Sequence, residues 1–158
     1  GTLSIGNTKI HNLHVILRFE IERDLFSGRL AVRDLEDAWN ARMLDYLGME
    51  PKEPSEGILQ DIHWAFAGFG YFPTYTYGNL YSAQIFDAIK RQIPDLDEQL
   101  RRGHLAGLRE WLRDKVHLLG KLRRPADLIR DISGEGLHQR FLISYLEEKY
   151  RPLYGLNS

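Results

Sequence analysis

No cysteine occurs among the 158 residues, which excludes disulfides and thiolate metal sites and accords with a reducing compartment. No charge of one sign dominates either. Lys and Arg number 21 against 22 Asp and Glu, a net charge of −1, so no global electrostatic argument favours nucleic acid or an anionic membrane as partner. Sustained period-two alternation is missing, so no strand is expected. Repeats of solenoid length and low-complexity tracts are missing as well. The first residues, GTLSIGNTKIHNLH, lack the basic region and apolar core of a signal peptide. They also lack an initiator Met, which points to a processed or engineered start, or to a fragment.

One absence is local. From Ile62 to Phe86 there is no Asp, Glu, Lys or Arg, in a chain that is 27% charged. A buried helix, a membrane segment and the wall of an active site could each produce such a tract. Gly68, Gly70, Pro73, Gly78 and Gln84 interrupt it too often for a spanning helix. A soluble, cytoplasmic protein with neither membrane nor nucleic-acid partners is the expectation.

What the chain does contain is helical periodicity. Its length suits one domain, or part of a larger one. Leu13, Ile16, Leu17, Ile21 and Leu25 recur at helical spacing, with Arg18, Glu22 and Arg23 expected to turn away, and Ser27-Gly28 ends the segment. Asp34 is placed to cap a second helix whose inward set is Leu35, Ala38, Trp39, Met43, Tyr46 and Leu47, and Gly48 stops it. A polar loop with two prolines follows over 50–56. Further helices are predicted over 75–92, 94–102, 105–119, 125–132 and 138–150, the last ending before Pro152. The fold class is all-α.

Among the six histidines, His11 and His14 form HNLH, three residues apart on one helix face. A metal there would need a third ligand that the sequence does not show, and a partly buried pair near a helix start is the better reading. His104, His117 and His138 lie among charges and are expected to face solvent. His63 differs, because Asp61 stands two residues before it and Trp64 directly after. A carboxylate near an imidazole can fix its tautomer and raise its basicity. A core histidine beside a packed Trp is the bland alternative. Tyr71, Tyr75, Tyr77 and Tyr81 follow in the same tract; phenols stay protonated at neutral pH and can donate to an oxyanion. An uncharged wall with a few polar tips is how a substrate cleft is commonly lined, although a buried aromatic helix would look similar.

The stretch GILQDIHW, with Gly57, Gln60, Asp61, His63 and Trp64 in place, resembles the GxxQDxHW motif of the carboxypeptidase Taq family of zinc metallocarboxypeptidases. The resemblance extends upstream through LHVILRFEIE and downstream through FGYFPTYTYGNLYSAQIFDAI, covering the chain beyond its first ten residues as the family's C-terminal portion. It implies a large helical metallopeptidase with a deep groove, usually homodimeric, that removes single residues from peptide C-termini. In the family, zinc is held by the histidines of an HExxH helix and a later glutamate, and the HExxH glutamate is the general base. This chain contains no HExxH, and Asn12-Leu13 inside HNLH supply no such base. The family's IRxxAD motif, expected just before LHVILRFEIE, is matched by neither its arginine nor its aspartate in GTLSIGNTKIH.

The resemblance therefore assigns residues 11–158 to the C-terminal helical part of a catalytic domain, and residues 1–10 to an engineered or altered lead. It implies no metal ligand and no cofactor in this chain, with zinc in the full-length parent, and predicts the chain alone to be inactive. His63 is expected to contact substrate or the tetrahedral intermediate's oxygen. Tyr75 is the expected oxyanion donor, with Tyr71 and Tyr77 as alternatives. Gln60 and Asp61 orient His63, and Trp64 packs. Without the covering half of the groove, aromatic surface is left open, so a homo-oligomer is expected. The alternative from another class is a non-catalytic helical module for peptide binding or protein interaction.

Overall fold

The computed structural model describes the backbone of residues 6–155 and side chains from Ile10 onward. The lead proposed at residues 1–10 thus lies largely outside the described residues. The chain divides into two compact units, Gly1–Tyr77 and Gly78–Ser158. Helices make up both, and no strand occurs among the described residues.

In the first unit, α1 (Gly6–Phe26) and α2 (Leu35–Leu47) pack on each other. Leu17, Ile21, Trp39 and Met43 form the buried centre, joined at its edge by Leu25, Tyr46, Ile58 and Trp64. Trp39 meets Trp64 edge to face at 5.7 Å between ring centroids, a favoured aromatic geometry. Gly48 ends α2 with a left-handed backbone, φ +66°, and its N–H returns to Leu44 O. Asp34 sits at the N-cap position, but its side chain makes no capping bond and instead lies 3.6 Å from Arg33. The periodicity misplaced some side chains. Ile16 is exposed, whereas Glu22, expected to turn outward, is buried, and Arg18 is largely covered. Both are drawn inward by partners from the following segment, a force that periodicity alone does not register.

The uncharged tract is not one buried helix. A 3₁₀ turn (Ile58–Gln60) leads into the single-turn α3 (Ile62–Ala65), then a tight turn, then α4 (Pro73–Gln92). Ala67 holds a left-handed φ of +60°, uncommon for a residue with a Cβ. Gly68 packs so closely on the preceding turn that a Cβ there would stand 3.0 Å from His63 O.

The second unit continues α4 and adds α5 (Leu96–Arg101), α6 (Ala106–Leu112), α7 (Pro125–Ser133) and α8 (Arg140–Tyr154). The helix predicted over 105–119 divides, because α6 passes into a wider π-helical turn at Arg113–His117. Pro125 opens α7, where its missing N–H costs nothing, and Gly134 closes it at φ +88°. Pro152 does not stop α8, which runs on to Tyr154. It lies in the last turn, where loss of one N–H removes a single helical bond.

Gln84 knots this unit together. It is fully buried on α4, its Nε2 donating to Ser133 Oγ at 2.8 Å and Gly136 O at 3.0 Å, while its Oε1 accepts from His138 N at 3.0 Å. Burying an amide is tolerable only with both ends satisfied. Gln84→Leu keeps the volume but orphans these partners, and is expected to lower stability by about 2–4 kcal/mol, read by urea denaturation. A loss below about 0.5 kcal/mol would show that the network contributes nothing net.

Candidate functional site

Asp61 organises the site. Its backbone is extended, φ −82° and ψ 109°, and its Oδ1 accepts from Trp64 N at 2.9 Å, capping α3. That cap sends adjacent side chains to different places, Trp64 into the core and His63 to a cleft. Its other oxygen, Oδ2, accepts from Arg18 Nε at 2.6 Å, with side chains only 12% exposed for Arg18 and 2% for Asp61. His63 Nδ1 stands 3.8 Å from Asp61 Oδ1, beyond hydrogen-bond range. Asp61 thus sets His63 by shaping the turn that carries it, and not through the direct carboxylate–imidazole bond that the spacing suggested.

His63 Nε2 lies 3.0 Å from Tyr75 Oη. Phe72 packs against the imidazole at 4.9 Å between centroids, and Tyr71 stacks on it at 5.9 Å with ring planes 20° apart. Of the three tyrosines considered, Tyr75 bonds His63, Tyr71 covers its face, and Tyr77 is 55% exposed and lines neither recess beside His63. One recess is a cleft of about 390 Å³ with a mixed lining, polar at His14, Arg18, His63 and Tyr75 and apolar at Val15 and Phe72. The second, on the aromatic side, includes Phe66, Phe69 and Tyr71. Gln60 stands exposed at the rim of the first.

Helix α1 contributes a stripe that sequence reading missed. His14, Arg18 and Glu22 are four residues apart and share one face. Arg18 Nη1 donates to His14 O at 3.0 Å and lies 3.1 Å from His14 Nδ1. Its guanidinium also covers Trp39 at 4.7 Å and Phe72 at 5.3 Å. Glu22 accepts from Trp64 Nε1 at 2.8 Å and from Gly70 N at 3.0 Å. The spacing itself was the available signal, since residues 14, 18 and 22 line up four apart along one edge of the helix. Burial first, then the charge of Arg18 and the neighbouring His11, hold the His14 pKa below its usual value. Neutral His14 accepting at Nδ1 carries its proton on Nε2.

The fold is that of helical carboxypeptidases. It matches the carboxypeptidase of Deinococcus radiodurans R1 with a TM-score of 0.88 at 42% identity, over 92% of this chain and 29% of that one. Trypanosoma cruzi metallocarboxypeptidase 1 gives 0.85 at 36% identity, over 89% and 28%. The chain belongs to the Carboxypeptidase Taq (M32) metallopeptidase family, whose model matches residues 9–150. It is 46% identical over 144 residues to Carboxypeptidase 1 of Bacillus subtilis (strain 168), a match that covers 91% of this chain and 29% of the relative. It thus spans under a third of the length of the curated relatives it matches.

Such a family implies a metal in the whole protein, but the donors here do not fit one. Among the described residues no three or more His, Cys, Asp or Glu side chains gather to hold an ion. The nearest candidate, His14, faces the Arg18 guanidinium, whose positive charge opposes a divalent cation. Also among the described residues, no helix is long and apolar enough to cross a membrane.

The depressed His14 pKa carries a pH dependence. The unfolded chain takes up this proton more readily than the folded one, so the contribution to stability is complete above the ordinary value of 6.5 and is lost as pH falls through it toward the lower folded value. The urea midpoint should fall between about pH 7.5 and about pH 5.5, and His14→Gln should flatten that slope. An equal slope in the variant would assign the dependence to other groups.

Proposed function

We propose that this chain forms one wall of the peptide cleft in a zinc-dependent metallocarboxypeptidase that releases single residues from peptide C-termini. On this reading it is a part of that enzyme and supplies contacts to substrate, while the metal ligands and general base come from elsewhere in the whole protein. The observation that carries the reading is the His63–Tyr75 pair, hydrogen-bonded at 3.0 Å on the wall of a cleft, within the residues that the family model matches.

The chemistry follows from the proton inventory. When His63 Nε2–H donates to Tyr75 Oη, the phenol proton is left free to point into the cleft. A carbonyl oxygen gaining charge beside it is then stabilised by a preorganised donor in a partly dehydrated site. Gln60, at the rim, offers both a donor and an acceptor to a peptide backbone. Asp61 and Trp64 hold the turn in place, and neither needs to touch the reacting atoms. A cytoplasmic location suits a chain without cysteine.

In the whole enzyme, Tyr75→Phe and His63→Ala are each expected to reduce kcat by about 10²–10³-fold with little change in KM. Tyr77→Phe should leave both constants near those of the parent. The 158-residue chain by itself should bind no stoichiometric zinc and release no amino acid from a blocked dipeptide. Turnover by the isolated chain with bound zinc would sink the reading.

Self-association belongs to the same proposal. Phe26 and Phe69 are exposed and touch edge to face at 5.3 Å, and Phe66 and Tyr71 flank His63 with half or more of their surface open. Continuous aromatic surface of this kind favours association. Light scattering should show an oligomer, and a monomer of constant mass across concentrations would contradict it.

A further inference from the structure

We infer that Arg18 and Glu22, one helical turn apart on α1, are the positioning residues that hold the His63–Tyr75 pair in register. Arg18 acts through Asp61, and Glu22 acts through Trp64 and Gly70. The inference rests on the proposal that His63 and Tyr75 contact substrate, but its geometric core does not.

Burying charge is costly, and a well-packed apolar pair would often stabilise a fold equally well. Arg18 and Glu22 are nonetheless covered, and each makes bonds that only its own shape permits. Arg18 uses Nε for Asp61 Oδ2 and Nη1 for His14 O, while its plane lies over Trp39 and Phe72. A lysine has one nitrogen and no plane, so it cannot make both bonds and both stacks together. Glu22 must offer two acceptors, because both of its neighbours, Trp64 Nε1 and Gly70 N, are donors. A glutamine would turn an NH₂ group toward one of them.

The bonds bracket the site. Asp61 fixes the start of α3 and Trp64 its third residue, so His63 between them has little freedom. Gly70, at φ +78°, is held by Glu22 just before the chain enters α4 through Phe72 and Pro73. Phe72 is buried against both His63 and the Arg18 guanidinium. Tyr75 lies on the first turn of α4, so its reach to His63 Nε2 depends on where that turn begins. Two side chains of one rigid helix thereby set both ends of the segment that carries the pair.

The test reads the ring nitrogens of His63 by NMR in the 158-residue chain. Tyr75→Phe first defines the His63 Nε2 position when its partner is lost. Arg18→Met keeps the stem over Trp39 and Phe72 but removes the bonds to Asp61 and His14. It is expected to move the His63 Nε2 resonance at least about half way to the Tyr75→Phe position, a local effect of lost orientation. Gln84→Leu, which weakens the other unit, should leave that resonance in place, separating positioning from mere stability. Should Arg18→Met fail to fold, Arg18→Lys and Glu22→Gln take its role, and each should move the signal in the same direction by less. An unmoved His63 signal in the folded variants overturns the inference.

In the whole enzyme, Arg18→Met should lower kcat/KM by about 10–100-fold, mainly through kcat, with partial recovery in Arg18→Lys. A moved resonance with unchanged turnover would uphold the clamp and refute the catalytic reading of His63.

Discussion

The ion pair between Arg18 and Asp61 is the constraint on which the first unit depends. It joins α1 to a segment that has little regular structure of its own, a 3₁₀ turn followed by one turn of helix. A four-residue helix cannot stand alone, because nucleation costs more than one turn returns. Its shape must be imposed from outside. Asp61 does this by accepting from Arg18 with one oxygen and capping the turn with the other. The guanidinium closes the arrangement from above by lying on Trp39, so the core and the cleft share one cation.

Family membership and geometry meet at this point. The GxxQDxHW-like segment is the one held by α1, and its last two residues, both aromatic, divide the labour. Trp64 packs into the core, where its indole N–H is bonded to Glu22, and His63 stays at the cleft with Tyr75. The aromatic side chains next to His63, Phe66 and Tyr71, are exposed.

Much of the helical framework could be read from the sequence. Gly48 and Gly134 end their helices with the left-handed backbone that a glycine permits, and Pro125 opens α7 as a first-turn proline should. These signals are local, which is why they could be read. The departures share the opposite character. The π turn after α6 and the continuation of α8 through Pro152 carry no such marker, since no Gly or Pro stands at the first and the proline at the second only removes one N–H. The site divided along the same line. His63, Asp61 and the tyrosines stood out in one short stretch, where spacing did not separate Tyr75 from Tyr71 and Tyr77; the fold brings Tyr75 Oη within 3.0 Å of His63 Nε2. Arg18 and Glu22 escaped notice because their partners lie some forty residues further on, and an amphipathic pattern treats any charge as facing water.

Glu22 has one more consequence. Its two oxygens grip Trp64 and Gly70, so the intervening residues form a ring closed by a side chain from another helix. That loop contains the left-handed Ala67 and the tightly packed Gly68. A break in the backbone between Ala65 and Phe69 would leave both cut ends tethered to the same carboxylate. The loop is thus a noncovalent staple, in which the continuity of the cleft wall resides in α1 as much as in the chain that forms the wall.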